Sequence, residues 1–317
     1  MRRAFLRILE ALITLAVLVT AGWGLVHLLP GDAVTAMYAS ADVAPDAEAF
    51  EAAAELRIPG LLEHLANVLT LNWGMSFEGG LPVADLVADA LPYTLGLAGA
   101  AGVASTLAGL VLGVESARRR GTRTDRLLAA VAGALQGVPD MAAGILLLLV
   151  FALGLGWLPA AGASTAYAEL DGWGHAVDFL RHLALPWLTL LLTQLPQTFL
   201  VVRGVMLETF DSPFMLTAAA KGVDERRRAR VHAARMALLP VLTRFAARGA
   251  LMLTGLIVVE SIFNYPGLGS LLTQAVAMRD APLVLGVCTT AAAAVVLAGL
   301  AIDLFCMMLA PAAGRDR

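Results

Sequence analysis

The 317-residue sequence offers few groups at spacings that support covalent chemistry. Its only lysine, Lys221, precedes a glycine instead of following one, so no phosphate-cradling GxxxxGK[ST] loop is present. The five histidines, His27, His64, His175, His182 and His232, are scattered without metal-ligand spacing, and neither HExxH nor GxSxG occurs. Cys288 and Cys306 lie 18 residues apart in one apolar run, on the order of 27 Å along a helix, too far to pair. The expectation is therefore no catalytic residue, no bound metal and no cofactor held by this chain. Polar groups inside apolar runs carry more information. Asp140 follows Pro139 in such a run; counted from Arg126 along a continuous helix it falls about 21 Å in, near a bilayer midplane. There it either lines a polar pathway that favours a cationic or amine-bearing solute, or sits protonated or hydrogen-bonded to a neighbouring helix. Gln194 and Gln197, three apart, share a helix face and either line the same pathway or join helices.

The densest polar stretch is DSPFMLTAAAKGVDERRRARVHAARMALLP, residues 211–240. Asp211 or Ser212 caps a helix, Pro213 occupies its first position where a missing N–H costs nothing, and Gly222 stands where a left-handed terminating residue belongs. A second cap at Asp224 opens a helix over 225–239 that Pro240 stops. Two short helices joined at a glycine make an elbow. A basic loop drawn to anionic lipid needs only charge. The apolar trio Phe214, Met215 and Leu216 adds what a groove on a soluble partner would take.

The elements that must position these groups follow from composition. Hydrophobic residues make up 59% of the chain, charged residues 15%, and the mean hydropathy is +0.78. Soluble domains average about 45–50% apolar and about 25% charged, so a soluble enzyme, a disordered chain and a nucleic-acid-binding module are excluded. Apolar runs fall at 8–29, 93–114, 127–157, 185–205, 250–263 with its flanks, and 283–309. They read as six transmembrane helices of an all-α membrane protein, the first a retained anchor and not a cleaved signal. Nineteen of the 22 Lys and Arg residues fall on one side of these spans, leaving Arg57, Arg181 and Arg279 on the other, which places both termini in the cytoplasm. The segment 31–92 carries ten acidic residues against Arg57 alone and contains a short amphipathic helix near 60–71. The chain organises as residues 1–29, cytoplasmic start and first span; 30–92, extracytoplasmic loop with its surface helix; 93–309, a five-helix core with a cytoplasmic loop at 206–243; and 310–317, a cytoplasmic tail. Six spans with no inverted echo make half of a pathway.

The elbow resembles the EAA loop of inner-membrane permease subunits of ATP-binding-cassette importers, in the dipeptide, oligopeptide and nickel branch. Thr217, Ala218, Ala220, Lys221, Gly222, His232, Arg235 and Pro240 stand at matching positions. The stretch ESIFNYPGLGSLLTQAVAMRDAP resembles the branch's outer-loop signature through Glu260, Phe263, Tyr265, Pro266, Gly267, Gly269, Arg279 and Asp280. Shorter echoes run end to end: LLPGD at 28–32, WGMSF at 73–77, LPYTL around Thr94, WLPAAG at 157–162, HLALP at 182–186, Arg203 and Asp303. Departures are Asn72, Leu200, Gly299 and the closing Ala310, Pro311, Ala312.

The resemblance implies the type I importer fold and a subunit that binds no ATP itself. It implies a sister permease in a heterodimer, two cytosolic ATPases that use ATP and Mg, and an extracytoplasmic solute-binding protein. In that picture Pro213, Phe214 and the matched residues up to Pro240 dock on an ATPase, while Glu260 to Asp280 face the binding protein and the mouth of the pathway. The expected solute is a di- or oligopeptide, with nickel or a metal chelate as the alternative. A self-contained carrier or channel is the rival of another class; it would work without an ATPase and tolerate changes in the elbow. On residue types alone, YPGLG reads as a tight turn between Tyr265 and Leu268, and Arg279–Asp280 as a local charge pair that initiates a helix.

Overall fold

A computed structural model describes residues 2–28, 60–77, 80–165, 171–234, 236, 240–241 and 249–309. Among them the regular structure is helical, with one isolated bridge between Met75 and Pro82. The helices are α1 (Arg2–Leu28), α2 (Leu61–Thr70), α3 (Val83–Arg118), α4 (Arg123–Gln136), α5 (Asp140–Leu147), α6 (Gly172–Phe210), α7 (Pro213–Ala220), α8 (Gly249–Ile262), α9 (Leu268–Ala277) and α10 (Ala281–Leu309). A π-helical turn, Leu148–Gly154, continues α5.

Four helices, α1, α3, α6 and α10, are long and apolar enough to cross a membrane, and a fifth crossing arises if α4 and α5 are one bent span. The continuous helix expected over 127–157 is thus broken, with a bend of 101° between its halves. The cause is local. Pro139 has no N–H to donate and pushes Val138 out of helical conformation, so α4 ends at Gln136 and Pro139, at ψ 146°, becomes the N-cap of α5. The depth assigned to Asp140 by counting along one straight helix is corrected accordingly: Asp140 is the first residue of a new helix. The run at 250–263 is the 14-residue α8; the flank at 242–248 lies outside the described residues. The amphipathic segment at 60–71 is α2, with Leu71 left-handed (φ 56°) at its C-cap.

The chain divides into two compact units, Met1–Leu95 with Pro266–Leu300, and Gly96–Tyr265 with Ala301–Arg317. The first is cored by Val26 of α1, Val83 and Val87 of α3, Leu268 of α9, and Leu283 and Val287 of α10. In the second, α3 and α6 meet through glycines. A Cβ at Gly109 would stand 2.7 Å from the Thr198 side chain, and one at Gly113 2.7 Å from that of Val202. Small residues four apart let two membrane helices approach this closely, where packing and not the hydrophobic effect holds helices together.

Candidate coupling elbow and outer-face motifs

The elbow forms in the second unit from local rules. Pro213 starts α7 after Ser212, whose extended backbone (ψ 148°) is that of an N-cap, although the Ser212 hydroxyl donates to the Thr209 carbonyl and leaves the helix uncapped by a side chain. Thr217 Oγ1 donates to the Pro213 carbonyl, 3.1 Å. Gly222 has φ +75°. Its N–H reaches the Ala219 carbonyl (2.9 Å), and the Val223 N–H reaches that of Ala218 (3.1 Å). These are the two bonds of a helix end closed by a left-handed residue. Asp224 then caps the next turn by accepting from the Arg226 N–H at 3.0 Å. The expected single helix over 225–239 instead passes from Glu225–Arg227 into a π-helical turn, Arg228–Ala233, which contains His232. Arg235 lies outside the described residues; Pro240 is helical and half-buried.

One apolar side chain of the expected trio anchors the elbow. Met215 is fully buried against Val114 and Ala117 of α3, Val202 and Met206 of α6, and Ala229 and Ala233 of the following turn. Phe214 and Leu216 remain exposed at 45% and 65%. Successive helical residues are 100° apart, so the three cannot share one face. Ion pairs rim the elbow: Arg120 with Asp211 at 3.3 Å, Arg118 with Glu225 at 3.9 Å, and Glu115 with both Arg118 and Arg119. Exposed pairs of this kind add about 0–1 kcal/mol each. Pro213, Thr217, Ala220, Lys221 and Gly222 are exposed and Ala218 is half-buried.

The outer-loop signature divides between the units. In the second, Glu260, Phe263 and Tyr265 are buried. The reversal falls at Asn264 (φ 43°), not between Tyr265 and Leu268: Asn264 N–H donates to Ser261 O and Tyr265 N–H to Glu260 O at 2.8 Å, closing the end of α8. The Phe263 carbonyl also accepts from the Gly162 N–H at 2.9 Å. In the first unit, Gly267 is the N-cap of α9, and the Leu268 N–H donates to Thr94 Oγ1 at 2.7 Å. Gly269 is buried in the first turn of α9; Pro266 precedes it, exposed. Arg279 takes the left-handed position (φ 53°) after α9. Asp280, 1% exposed, turns to the WGMSF loop instead of forming the expected local charge pair. It accepts from Ser76 Oγ (2.5 Å) and the Phe77 N–H (2.8 Å), and it caps α10 through the Leu283 N–H (3.0 Å).

Of the polar groups in apolar runs, Asp140 is half-buried, and its carboxylate lies against Gly255, where a Cβ would stand 3.1 Å from Cγ. Among the described residues no hydrogen bond or ion pair engages this carboxylate. Gln194 Oε1 is 3.5 Å from Ser105 Oγ of α3, and Gln197 is half-buried on the same helix. Sequence reasoning missed a further group. Asp125, 2% exposed, accepts from Ser116 Oγ (2.7 Å), the Gly121 N–H (3.0 Å), and Arg203 Nε and Nη2 (2.8 and 3.1 Å). An arginine isolated in an apolar run demands a partner, which was the available signal.

Residues 105–315 match the family described as binding-protein-dependent transport system inner membrane component. The chain belongs to this family. It is 31% identical, over 89% of both chains, to the di/tripeptide transport system permease protein DppB of Pseudomonas aeruginosa. It is 32% identical to the glutathione transport system permease protein GsiC of Escherichia coli K12, over 90% of each. A probable peptide ABC transporter permease, y4tP, of Sinorhizobium fredii is 33% identical over 78% of this chain and 77% of its own. This binding-protein-dependent permease is therefore a multi-pass inner-membrane subunit of an ABC importer, a transport component and not an enzyme. The matched range contains the whole elbow and the outer-loop signature; the WGMSF loop that Asp280 holds lies before it.

Proposed function

We propose that this permease forms half of the translocation pathway of an ATP-driven importer of di- or oligopeptides, and that residues 213–222 are where an ATPase subunit drives it. Six spans carry the pathway: α1, α3, the bent α4–α5 pair, α6, α8 with its flank, and α10. The bias of basic residues supports cytoplasmic termini, an extracytoplasmic loop at 30–92, a core at 93–309 with its coupling loop at 206–243, and a cytoplasmic tail at 310–317. The partners are a sister permease, two ATPases that hold ATP and Mg, and an extracytoplasmic solute-binding protein facing Glu260–Asp280. This chain holds no cofactor.

One observation carries the reading. The elbow is a short helix closed at its C-terminal end by Gly222 and pinned near its start by buried Met215, and it presents Phe214, Leu216, Thr217 and Lys221 outward. A short helix held at both ends moves as a body, whereas a slack loop would absorb displacement. The relatives described as di/tripeptide and peptide permeases favour peptides as solute. Asp140, Gln194 and Gln197 line the pathway, with the Asp140 carboxylate meeting the solute's ammonium group. The test is disulfide cross-linking of Thr217→Cys in the assembled transporter to cysteines placed across the ATPase. An adduct that forms in the wild-type background and blocks uptake is expected. Absence of any adduct, together with undiminished uptake in Gly222→Leu, would overturn the docking role.

A further inference from the structure

The carboxylate of Asp125 is the point where three elements of the second unit converge. Oδ1 accepts from Ser116 on α3 and from Arg203 Nε on α6; Oδ2 accepts from the Gly121 N–H of the connecting turn and from Arg203 Nη2. Asp125 belongs to α4, whose start is capped by Thr122 through the Asp125 N–H at 3.3 Å. Only Asp125 and Ala132 of that helix are buried. Leu128, Ala129 and Leu135 are half-buried beside them, so α4 is attached by apolar packing together with a single buried charged group. Arg203 follows Val202 and precedes Met206, the two α6 residues against which Met215 of the elbow packs. The glycine seam at Gly109 and Gly113 brings α3 close to the same stretch of α6.

The consequences of these contacts differ in kind. Apolar and glycine contacts resist separation but permit sliding. A planar guanidinium bonded through two nitrogens to both oxygens of a carboxylate fixes orientation as well as distance. A buried pair of this type is a weak source of net stability, because desolvating two charges offsets much of their attraction. What such a pair supplies at this junction is geometry.

We propose that Asp125 and Arg203 are positioning residues of the transport cycle: they make the start of α4 move as one body with the end of α6, so that displacement of the elbow reaches the bent α4–α5 pair. The inference rests on the elbow being the ATPase-driven element. Asp140, the first residue of α5, then stands beyond the bend from the clamp on the same helix pair. The stroke enters at Met215, passes through α6 to the clamp, and turns the far half of the pair, which carries that carboxylate.

The test uses the assembled transporter in proteoliposomes with its ATPases and binding protein, with Arg203→Lys, which keeps the charge and loses the fork, and Asp125→Asn. Uptake and ATP hydrolysis are normalised to monodisperse complex, and Thr217→Cys cross-linking is run in the same backgrounds. The expected result is cross-linking and hydrolysis at the wild-type level, with solute moved per ATP lowered about tenfold, an ordinary size for coupling between sites. If hydrolysis and uptake fall in step, at an unchanged ratio, or neither changes, the proposal is overturned and the pair serves the fold alone. A wild-type background that gives no cross-link indicts the docking reading instead. Should the variants fail to accumulate, spin labels at exposed Leu127 and Glu208 in the otherwise unaltered pair decide the matter. Their separation stays constant between nucleotide-free and ATP-bound states under the proposal, and a change of about 5 Å, one helical turn, overturns it.

Discussion

Replacing Gly222 separates backbone strain from crowding. Crowding within the chain is not at stake, since no heavy atom lies within 4 Å of a Cβ built at this position. What remains is φ +75°, which costs a residue with a Cβ about 1–2 kcal/mol and costs asparagine less. Two hydrogen bonds depend on that conformation, from Gly222 to Ala219 and from Val223 to Ala218. The closed elbow should lose population by about 5- to 30-fold relative to its open form. Hydrogen exchange of residues 213–233, read by mass spectrometry on the purified complex, measures this directly. Gly222→Ala and Gly222→Leu are expected to speed exchange by similar factors, Gly222→Asn by much less, and exchange in α3 and α6 should stay unchanged. An alanine variant that exchanges as slowly as wild type, or a leucine variant far worse than alanine in the isolated permease, would refute the strain argument.

Four further outcomes follow from the geometry. Gly109→Ala and Gly113→Ala push a Cβ to 2.7 Å from Thr198 and Val202 and to 3.1 Å from the Phe199 backbone, an overpacking of about 1–3 kcal/mol; both should lower the melting temperature in detergent, while Gly99→Ala, in open space, should not. Met215→Ala should destabilise by about 2–5 kcal/mol, whereas Phe214→Ala changes stability by no more than about 0.5 kcal/mol yet weakens co-purification of the ATPase. Asp280→Ala removes the acceptor used by the Ser76 hydroxyl and the Phe77 N–H and the cap of α10, at about 0.5–1.5 kcal/mol for each bond lost, and should raise proteolysis within 73–82 in the detergent-purified complex. His64 is 3% exposed, its Nε2 has no partner among the described residues, and burial, with His27 second, holds its imidazole below the ordinary 6.5. Packing of α2 is therefore complete above that value and weakens as the pH falls through the depressed one, so exchange of residues 61–70 should accelerate on acidification and lose that dependence in His64→Phe.

Features governed by fixed local offsets were legible in the sequence. The proline start of α7, the left-handed stop at Gly222, the cap at Asp224 and the bounds of α2 depend on residues within a turn of one another, and each formed as its residue types dictate. The turn in ESIFNYPGLG was misplaced because proline and glycine dominate such readings, while asparagine also tolerates the left-handed region, and Asn264 takes it. Pro139 was visible, but its effect was underrated: hydropathy sums over a window and cannot tell a kink from a 101° break. The identity of partners remote in sequence left no local trace, even where an isolated Arg203 signalled that one was needed. Asp280 and Ser76 are 204 residues apart, Arg203 and Asp125 78 apart, and no propensity or periodicity links them.

The clasp of Asp280 on the WGMSF loop also sets an order of events during synthesis. The first compact unit is built from the beginning and the end of the chain, Met1–Leu95 and Pro266–Leu300, with the second unit lying between them in sequence. Chains emerge N-terminus first. The bonds from the Ser76 hydroxyl and the Phe77 amide to Asp280, and the packing of Val83 and Val87 on α10, must therefore wait until α10 has been made. A nascent permease truncated anywhere before Asp280 carries the WGMSF loop without its clasp, and a surveillance protease that reaches the loop would find it open.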